Sequence, residues 1–205
     1  DLVRVGLEAM QITSRPGLLA LAEESNLDPS EITAETLGWI FGPKINAAGR
    51  MQHAKIALKL LLTESILEAQ NLALELGELN RQRRHNTEKA VTLLSQKINL
   101  ADLHEPLIIT GDSTISNGIV GLIAAKLANQ YSRPAIVMQI GDHESRGSCR
   151  SVNGFNIVKL LQRHQDLFIK FGGHHGAAGF TINSQRIDEL KSRLYEDTKS
   201  YFNLD

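Results

Sequence analysis

Residues 107–140 read LIITGDSTISNGIVGLIAAKLANQYSRPAIVMQI and combine two short apolar runs with one helical stripe. The runs are Leu107 to Thr110 and Ala135 to Ile140, and both are rich in β-branched side chains, which favour strands. Between the runs, apolar residues recur at the spacing of one helix face, at Ile119, Ile123 and Leu127. The stretch therefore predicts a strand, a crossover helix and a parallel strand, which is the unit of an α/β domain.

The same kind of pattern continues towards residue 205. We predict further strands at residues 144–151 and 178–182, and helices at 155–163 and 184–201. Residues 100–205 are therefore predicted to be an α/β domain with a mixed sheet flanked by helices.

A long polar helix is predicted before this domain. The stretch Glu64–Ile98 contains no Pro and only one Gly, Gly77, and it is dominated by strong helix formers. Its middle, Asn80–Glu88, is polar on every face, which is typical of a helix that bridges two domains. We predict a connector helix over 64–99. The alternative is a helical hairpin broken near Asn86, because Asn and Thr compete with the helix for backbone hydrogen bonds.

Residues 1–63 predict short helices separated by breakers. Arg15-Pro16-Gly17 ends the first, residues 18–22 form a second, and Asp28-Pro29-Ser30 begins a third with Pro in its first turn. Helices of this length need packing partners, and we expect some of them in sequence upstream of this chain.

Composition limits the classes of protein that fit. The 205 residues are 42% apolar and 22% charged, an ordinary globular balance, and no run approaches the roughly eighteen apolar residues of a membrane span. The single cysteine, Cys149, excludes an internal disulfide framework and Cys-based zinc clusters, which fits a cytoplasmic protein. The net charge of −1 argues against a large basic face for duplex DNA, so a nucleic acid would have to be held locally.

The densest cluster of small residues is FGGHHGAAG at 171–179. Glycines let a ligand approach the backbone closely and can present successive N–H groups to an anion, so a phosphate or a nucleotide end would fit. The alternative is a tight turn packed against a neighbouring strand, with merely polar histidines. A metal site at His174 and His175 is weaker, because adjacent residues of an extended strand point to opposite faces.

Four other stretches offer groups that bind phosphate. In RGSCRS, residues 146–151, strand alternation brings Ser148 and Arg150 to one face; the alternative is a solvated edge. GPKINAAGR, residues 42–50, contains three side chains suited to phosphate or sugar, or is simply a helix end and linker. The turn from Thr110-Gly111-Asp112 to Gly118 precedes a helix whose N-terminal amides can hold an anion, or is simply the turn that every parallel sheet contains. Arg81, Arg83, Arg84 and His85 can follow a backbone, or form a solvated face.

In this order along the chain, the motifs resemble those of the RecJ exonucleases in the DHH phosphoesterase family. They are Gly42–Arg50, the long connector, Gly118-Ile119-Val120-Gly121, Gly147–Ser151, and Gly172-Gly173-His174 with Ala177-Ala178-Gly179. The resemblance covers essentially the whole chain.

The resemblance implies the C-terminal part of a two-domain catalytic core. Residues 1–63 would be a helical remnant of the DHH domain, 64–99 the connector, and 100–205 the DHH-associated domain that binds substrate. Two divalent ions, manganese or magnesium, would be held upstream and would activate water for attack on the phosphodiester. We expect no metal, cofactor or catalytic residue in this fragment. Its expected role is to bind the substrate of a 5′-to-3′ single-stranded-DNA exonuclease.

The resemblance also implies the binding residues, which are Asn46, Arg50, Ser148, Arg150, Gly172, Gly173 and His174. Gly172, Gly173 and His174 would hold a phosphate or a nucleotide of the substrate. Ser148 and Arg150 would bind a neighbouring phosphate, and Asn46 and Arg50 would line the other side of the cleft. The expected partners are single-stranded DNA and DNA-repair proteins, with no membrane.

This chain departs from the family pattern at two places. Lys44 stands where the family usually has Arg, and Ile115-Ser116-Asn117 stands where it often has Trp-His-Pro. A point charge would loosen a bidentate contact, and an aromatic contact would be lost. Two alternative functions stay open. They are a short-oligonucleotide or cyclic-dinucleotide phosphodiesterase of the same superfamily, and a non-catalytic DNA-binding scaffold.

Overall fold

The computed structural model describes residues 1–98, 105–152 and 154–202. The chain divides into two compact units, residues 1–85 (unit 1) and residues 86–205 (unit 2). The boundary lies within one helix, and each unit has its own apolar core. The division into 1–63, 64–99 and 100–205 stays a prediction.

Unit 1 is helical. Its helices are α1 (Leu2–Gln11), α2 (Pro16–Glu24), α3 (Ala34–Thr36), α4 (Gly42–Met51), α5 (Lys55–Leu62) and the first part of α6 (Ile66–Lys97). Pro16 begins α2, where its missing N–H costs nothing. The segment predicted to begin the third helix is a separate 3₁₀ turn, Pro29–Glu31, closed by the Asp28 side chain. A five-residue π-helical segment, Leu37–Phe41, leads into α4.

The predicted connector is one helix. α6 continues without a break through Asn86, so the alternative of a hairpin broken there is wrong. Thr87, near the end of the polar stretch, and Ala90, just after it, are buried, so packing within unit 2 supports this part of α6, which its weak amphipathicity alone would not.

Unit 2 is α/β, as predicted. Its elements are β1 (Ile108–Asp112), α7 (Val120–Tyr131), β2 (Ala135–Gln139), β3 (Glu144–Arg150), α8 (Ile157–Arg163), β4 (Phe168–His174), β5 (Ala177–Asn183) and α9 (Ile187–Phe202). The sheet order is β1-β2-β3-β5-β4, with β1 and β2 parallel and the other neighbours antiparallel. The predicted parallel unit and mixed sheet are therefore confirmed.

The sequence did not predict β4. Its residues Phe168 to His174 contain two glycines, which weaken an isolated strand, but pairing with β5 stabilises it at the edge of the sheet. The glycine-rich stretch is thus not one turn. Gly172-Gly173-His174 ends β4, Ala177-Ala178-Gly179 begins β5, and only His175 and Gly176 lie between. Successive N–H groups of an extended strand point to opposite edges, so the predicted cradle of consecutive amides is not formed there.

A carboxylate closes the turn that follows β1. Asp112 accepts hydrogen bonds from the Lys97 ammonium and from the backbone N–H and hydroxyl of Thr114. The Lys97 contact, followed by the Thr114 contacts, lowers the pKa of Asp112 from 3.8 to about 2. The turn that leads towards α7 is therefore held by an ionised side chain.

We expect Asp112→Asn to reduce stability at neutral pH by an amount that disappears in acid. The native state binds the Asp112 proton more weakly than the unfolded state, so the carboxylate stabilises the fold above about pH 4, and this contribution is lost as the pH falls towards 2. Urea unfolding of both proteins between pH 7 and pH 2 measures the gap. A gap that does not change with pH would contradict the assignment.

Candidate nucleic-acid interface

Strand register brings four of the predicted site residues onto one face of the sheet. Ser148 pairs with Gly179, which pairs with Gly172 on its other side. In the next row, Arg150 pairs with Ala177, which pairs with His174. Directly paired residues of antiparallel strands share a face, and so do residues two apart along a strand. Ser148, Arg150, Gly172 and His174 therefore lie on one face, and we call the surface formed by Gly172, Ala177 and Gly179 the glycine floor.

The opposite face of the same strands is the core of unit 2. Cys149, Ala178 and Phe180 alternate with the site residues and are buried with apolar residues of α8 and α9. Burial raises the pKa of the Cys149 thiol to about 12, so the thiol stays protonated and unreactive at neutral pH. The prediction that Ser148 and Arg150 share a face is confirmed by this alternation.

The glycine floor is open where its side chains are missing. A Cβ placed on Gly172 would meet nothing within 4 Å, and one on Gly179 would come no closer than 3.5 Å to the carbonyl oxygen of Gly147. Gly172 is exposed and its backbone is not in the left-handed region. Packing therefore does not require glycine at these positions, and the small residues leave an accessible surface.

Gly173 has a different reason to be glycine. Its φ is +152°, and a Cβ there would lie 2.3 Å from the carbonyl oxygen of Ala177 and 2.5 Å from the Cα of Ala178. Any side chain would therefore collide with β5. The structure gives Gly173 a role in forming the hairpin, and a direct contact with substrate stays a prediction for this residue.

Hydrogen bonds hold the Arg150 guanidinium along its own strand. Its Nη1 donates to the Ser148 hydroxyl at 3.1 Å and to the Cys149 carbonyl at 2.8 Å. The Ser148 oxygen accepts this bond, so its own O–H can donate elsewhere. In the part of the chain that the structure describes, no carboxylate pairs with Arg150. The half-buried guanidinium is a fixed cation to which a phosphate oxygen can bind.

His174 borders the floor at the hairpin. Its Nδ1 accepts a hydrogen bond from the Gly176 N–H at 3.2 Å, so the neutral ring carries its proton on Nε2 and presents that atom as a donor. The ring packs edge to face against His175, with centroids 5.6 Å apart. Among residues 1–98, 105–152 and 154–202, no group of three or more His, Cys, Asp and Glu side chains is placed to hold a metal ion.

The N-terminal end of α7 meets the two β3 side chains. The predicted strand–turn–helix from Gly111 to Gly118 is present, and α7 starts without a side-chain cap. A Cβ on Gly121, the second residue of α7, would lie 2.9 Å from Nη2 of Arg150 and 3.1 Å from the Ser148 hydroxyl. The partial positive charge of the helix end and the Arg150 cation are thus adjacent, which favours an anion.

Two exposed cations extend the same face. Arg146 and Lys170 both pair with Thr181, in the row next to Ser148 and Gly172. The sequence analysis missed Lys170 because it missed β4. It quoted Gly121 and Gly179 as motif residues but gave them no place in the binding site, because they are far from Ser148 in sequence. On the hairpin side, a pocket of about 350 Å³ is lined by Ser151, Asn156, His175 and neighbouring backbone.

The other two predicted binding residues belong to unit 1. Asn46 and Arg50 are both exposed and lie four residues apart on α4, so they share a helix face. Burial, then the nearby charges of Arg50 and Arg84, lower the pKa of Arg83. Arg50 of the 42–50 motif therefore forms one cationic group with Arg83 and Arg84 of α6, within unit 1. The sequence analysis treated the two stretches as separate features.

Lys44 does not contribute to this cationic group. Its ammonium lies against the carboxylate of Glu24 and the hydroxyl of Ser25, and its side chain is only 12% exposed. The expectation that lysine at this position loosens a substrate contact therefore does not fit, because this side chain packs inside unit 1. The second departure from the family pattern is the segment Ile115-Ser116-Asn117, and there the side chain of Ile115 is buried.

The described helices include none that is both long and apolar enough to cross a membrane.

The DHHA1 domain family matches residues 104–200. The single-stranded-DNA-specific exonuclease RecJ of Bacillus subtilis is 36% identical over 194 residues, which are 94% of this chain and 25% of that protein. RecJ of Salmonella typhimurium is 34% identical over 191 residues, which are 89% of this chain and 33% of that protein. The chain thus spans a quarter to a third of these relatives.

Solved structures agree with this similarity. The crystal structure of Thermus thermophilus RecJ in complex with Mg²⁺ superposes with a TM-score of 0.86 at 29% identity, over 97% of this chain and 31% of that one. A manganese-bound exonuclease RecJ superposes with a TM-score of 0.80 at 30% identity, over 95% of this chain and 48% of that one. The fold of both units is therefore that of a segment of these nucleases.

Proposed function

This chain is homologous to the part of the RecJ exonucleases that includes the DHHA1 domain, and on that premise we propose that it grips single-stranded DNA for 5′-to-3′ hydrolysis of phosphodiester bonds. One observation carries the proposal. A fixed guanidinium, a hydroxyl, a helix end and an imidazole donor surround an open glycine floor. Such a surface suits a backbone phosphate with a flat sugar or base beside it.

Each group of the surface has a distinct task in this proposal. Arg150 and the Ser148 O–H bind phosphate oxygens, and His174 Nε2 donates to the same or the next phosphate. The glycine floor lets the nucleotide lie directly on the strands, where any larger side chain would hold it away. In unit 1, Asn46 and Arg50 contact another part of the single-stranded DNA.

In this proposal, the divalent metal ions are bound outside the residues of this chain. Related RecJ structures contain Mg²⁺ or Mn²⁺, whereas the described residues of this chain gather no set of ligands for one. We place the two ions in the rest of the full-length protein, where they would activate water. The residues described above bind and orient the substrate and take no part in proton transfer.

The cellular setting is also a proposal. A single, buried cysteine suits a reducing compartment, which supports a cytoplasmic location. An exonuclease of this kind would work beside DNA-repair proteins, and no surface of the two units is assigned to such a partner.

Replacing Gly172 by valine is expected to weaken binding of single-stranded DNA by about tenfold while the fold stays intact, since the added side chain fills only ligand space. The measurement is fluorescence anisotropy of a labelled oligonucleotide with the full-length protein, with circular dichroism as the check on folding. Lys191→Val, on the outer helix α9, is the control. Unchanged binding by Gly172→Val would remove the floor from the site. Tighter binding of dinucleotides than of long strands would favour the short-oligonucleotide alternative.

A further inference from the structure

The second residue of α7 is a glycine that the helix does not need. Gly121 has no left-handed φ, and glycine inside a helix is less stable than alanine. The three atoms nearest to its missing Cβ belong to side chains of β3, namely Nη2 and Cζ of Arg150 at 2.9 and 3.6 Å and the Ser148 hydroxyl oxygen at 3.1 Å. The space of the absent methyl group is thus taken by the two side chains that border the glycine floor.

This contact decides where the Arg150 guanidinium can lie. Nη1 is held by the Ser148 hydroxyl and the Cys149 carbonyl, which keeps the side chain folded back along β3. In that conformation Nη2 rests against the first turn of α7. A methyl group on Gly121 would approach Nη2 more closely than nearly all carbon contacts allow, so the end of the arginine side chain would have to move.

We propose that Gly121 is a positioning residue, which sets the geometry of the Arg150–Ser148 pair for a nucleic-acid phosphate. The inference rests on the proposed function, because it concerns the same phosphate-binding face. Without a side chain at 121, the guanidinium lies beside the uncapped amides of α7, and one phosphate can accept from both. With a side chain there, the two donors separate and a phosphate binds one or the other.

The test is a double-mutant cycle in the full-length protein, using Gly121→Ala, Arg150→Ala and the double variant. Dissociation constants for labelled single-stranded DNA are measured by anisotropy. Gly121→Ala is expected to weaken binding by about tenfold, the loss typical of one charge-assisted hydrogen bond. In the Arg150→Ala background, Gly121→Ala is expected to have no further effect, because the residue acts through the guanidinium.

Gly6→Ala is the matched control, since Gly6 lies in α1 and its missing Cβ would meet nothing within 4 Å. Melting temperatures of all variants accompany the binding data. If Gly121→Ala lowers the melting temperature, the double variant should recover it, because the clash is removed together with Arg150.

Three results separate the two claims. Unchanged binding by Arg150→Ala overturns the proposed function and this inference with it. Weakened binding by Arg150→Ala together with normal binding by Gly121→Ala overturns the positioning role alone. Additive losses in the double variant also overturn it, since Gly121 would then act independently of Arg150.

Discussion

Arg150→Ala is expected to weaken binding of single-stranded DNA by ten- to a hundredfold, the range for a lost charge-assisted hydrogen bond or two. The guanidinium is held in place by the Ser148 hydroxyl and the Cys149 carbonyl, so it needs little ordering when a phosphate arrives. Because a phosphate contact is removed, the slope of log K against log salt should also fall by about 0.7. Titration of labelled oligonucleotides at several salt concentrations measures both quantities.

A second arginine provides the control for charge. Arg163 ends α8, whose apolar residues pack on the opposite face of the sheet, and it pairs with Asp197. Arg163→Ala removes the same charge and should leave binding almost unchanged. Equal losses in the two variants would mean that net charge alone attracts DNA, and the phosphate site on the glycine floor would have to be abandoned.

Glu24→Ala is expected to destabilise unit 1 by about 3–5 kcal/mol, the cost of leaving a buried charge without its partner. The Glu24 side chain is only 8% exposed, and it binds Lys44 from α4 and Arg81 from α6. Removal of the carboxylate would leave the Lys44 ammonium largely buried without a charged partner. Denaturant unfolding gives the difference in the free energy of unfolding.

Two further variants make this test specific. Gly77→Ala should cause a comparable loss, because the added Cβ would lie 1.9 Å from Oε1 of Glu24 and force the carboxylate out of its position. Glu23→Ala is the control, since the Glu23 carboxylate is exposed and accepts a hydrogen bond from the Gln70 amide. If Glu24→Ala were as stable as Glu23→Ala, the buried ion pair would not be supporting unit 1.

Helices and most strands were predictable from short-range patterns. The parallel unit from Leu107 to Ile140 follows from apolar periodicity, and the continuous α6 follows from its helix formers. The side-by-side placement of Ser148 and Arg150 also follows, because alternation along one strand is a local property. The assignment to the RecJ nucleases came from motif order along the chain, which is likewise written in the sequence.

The tertiary structure alone decided which residues share a surface. The rows that join Ser148 to Gly179 and Gly172 depend on the register of three strands, and β4 is held at the edge of the sheet by its pairing with β5. Lys44 is a largely buried partner of Glu24 instead of a substrate contact, because the fold brings together two residues that are twenty positions apart in the sequence. Local patterns determine elements through the conformations that neighbouring residues allow, whereas sites arise from contacts between distant segments, which no local pattern contains.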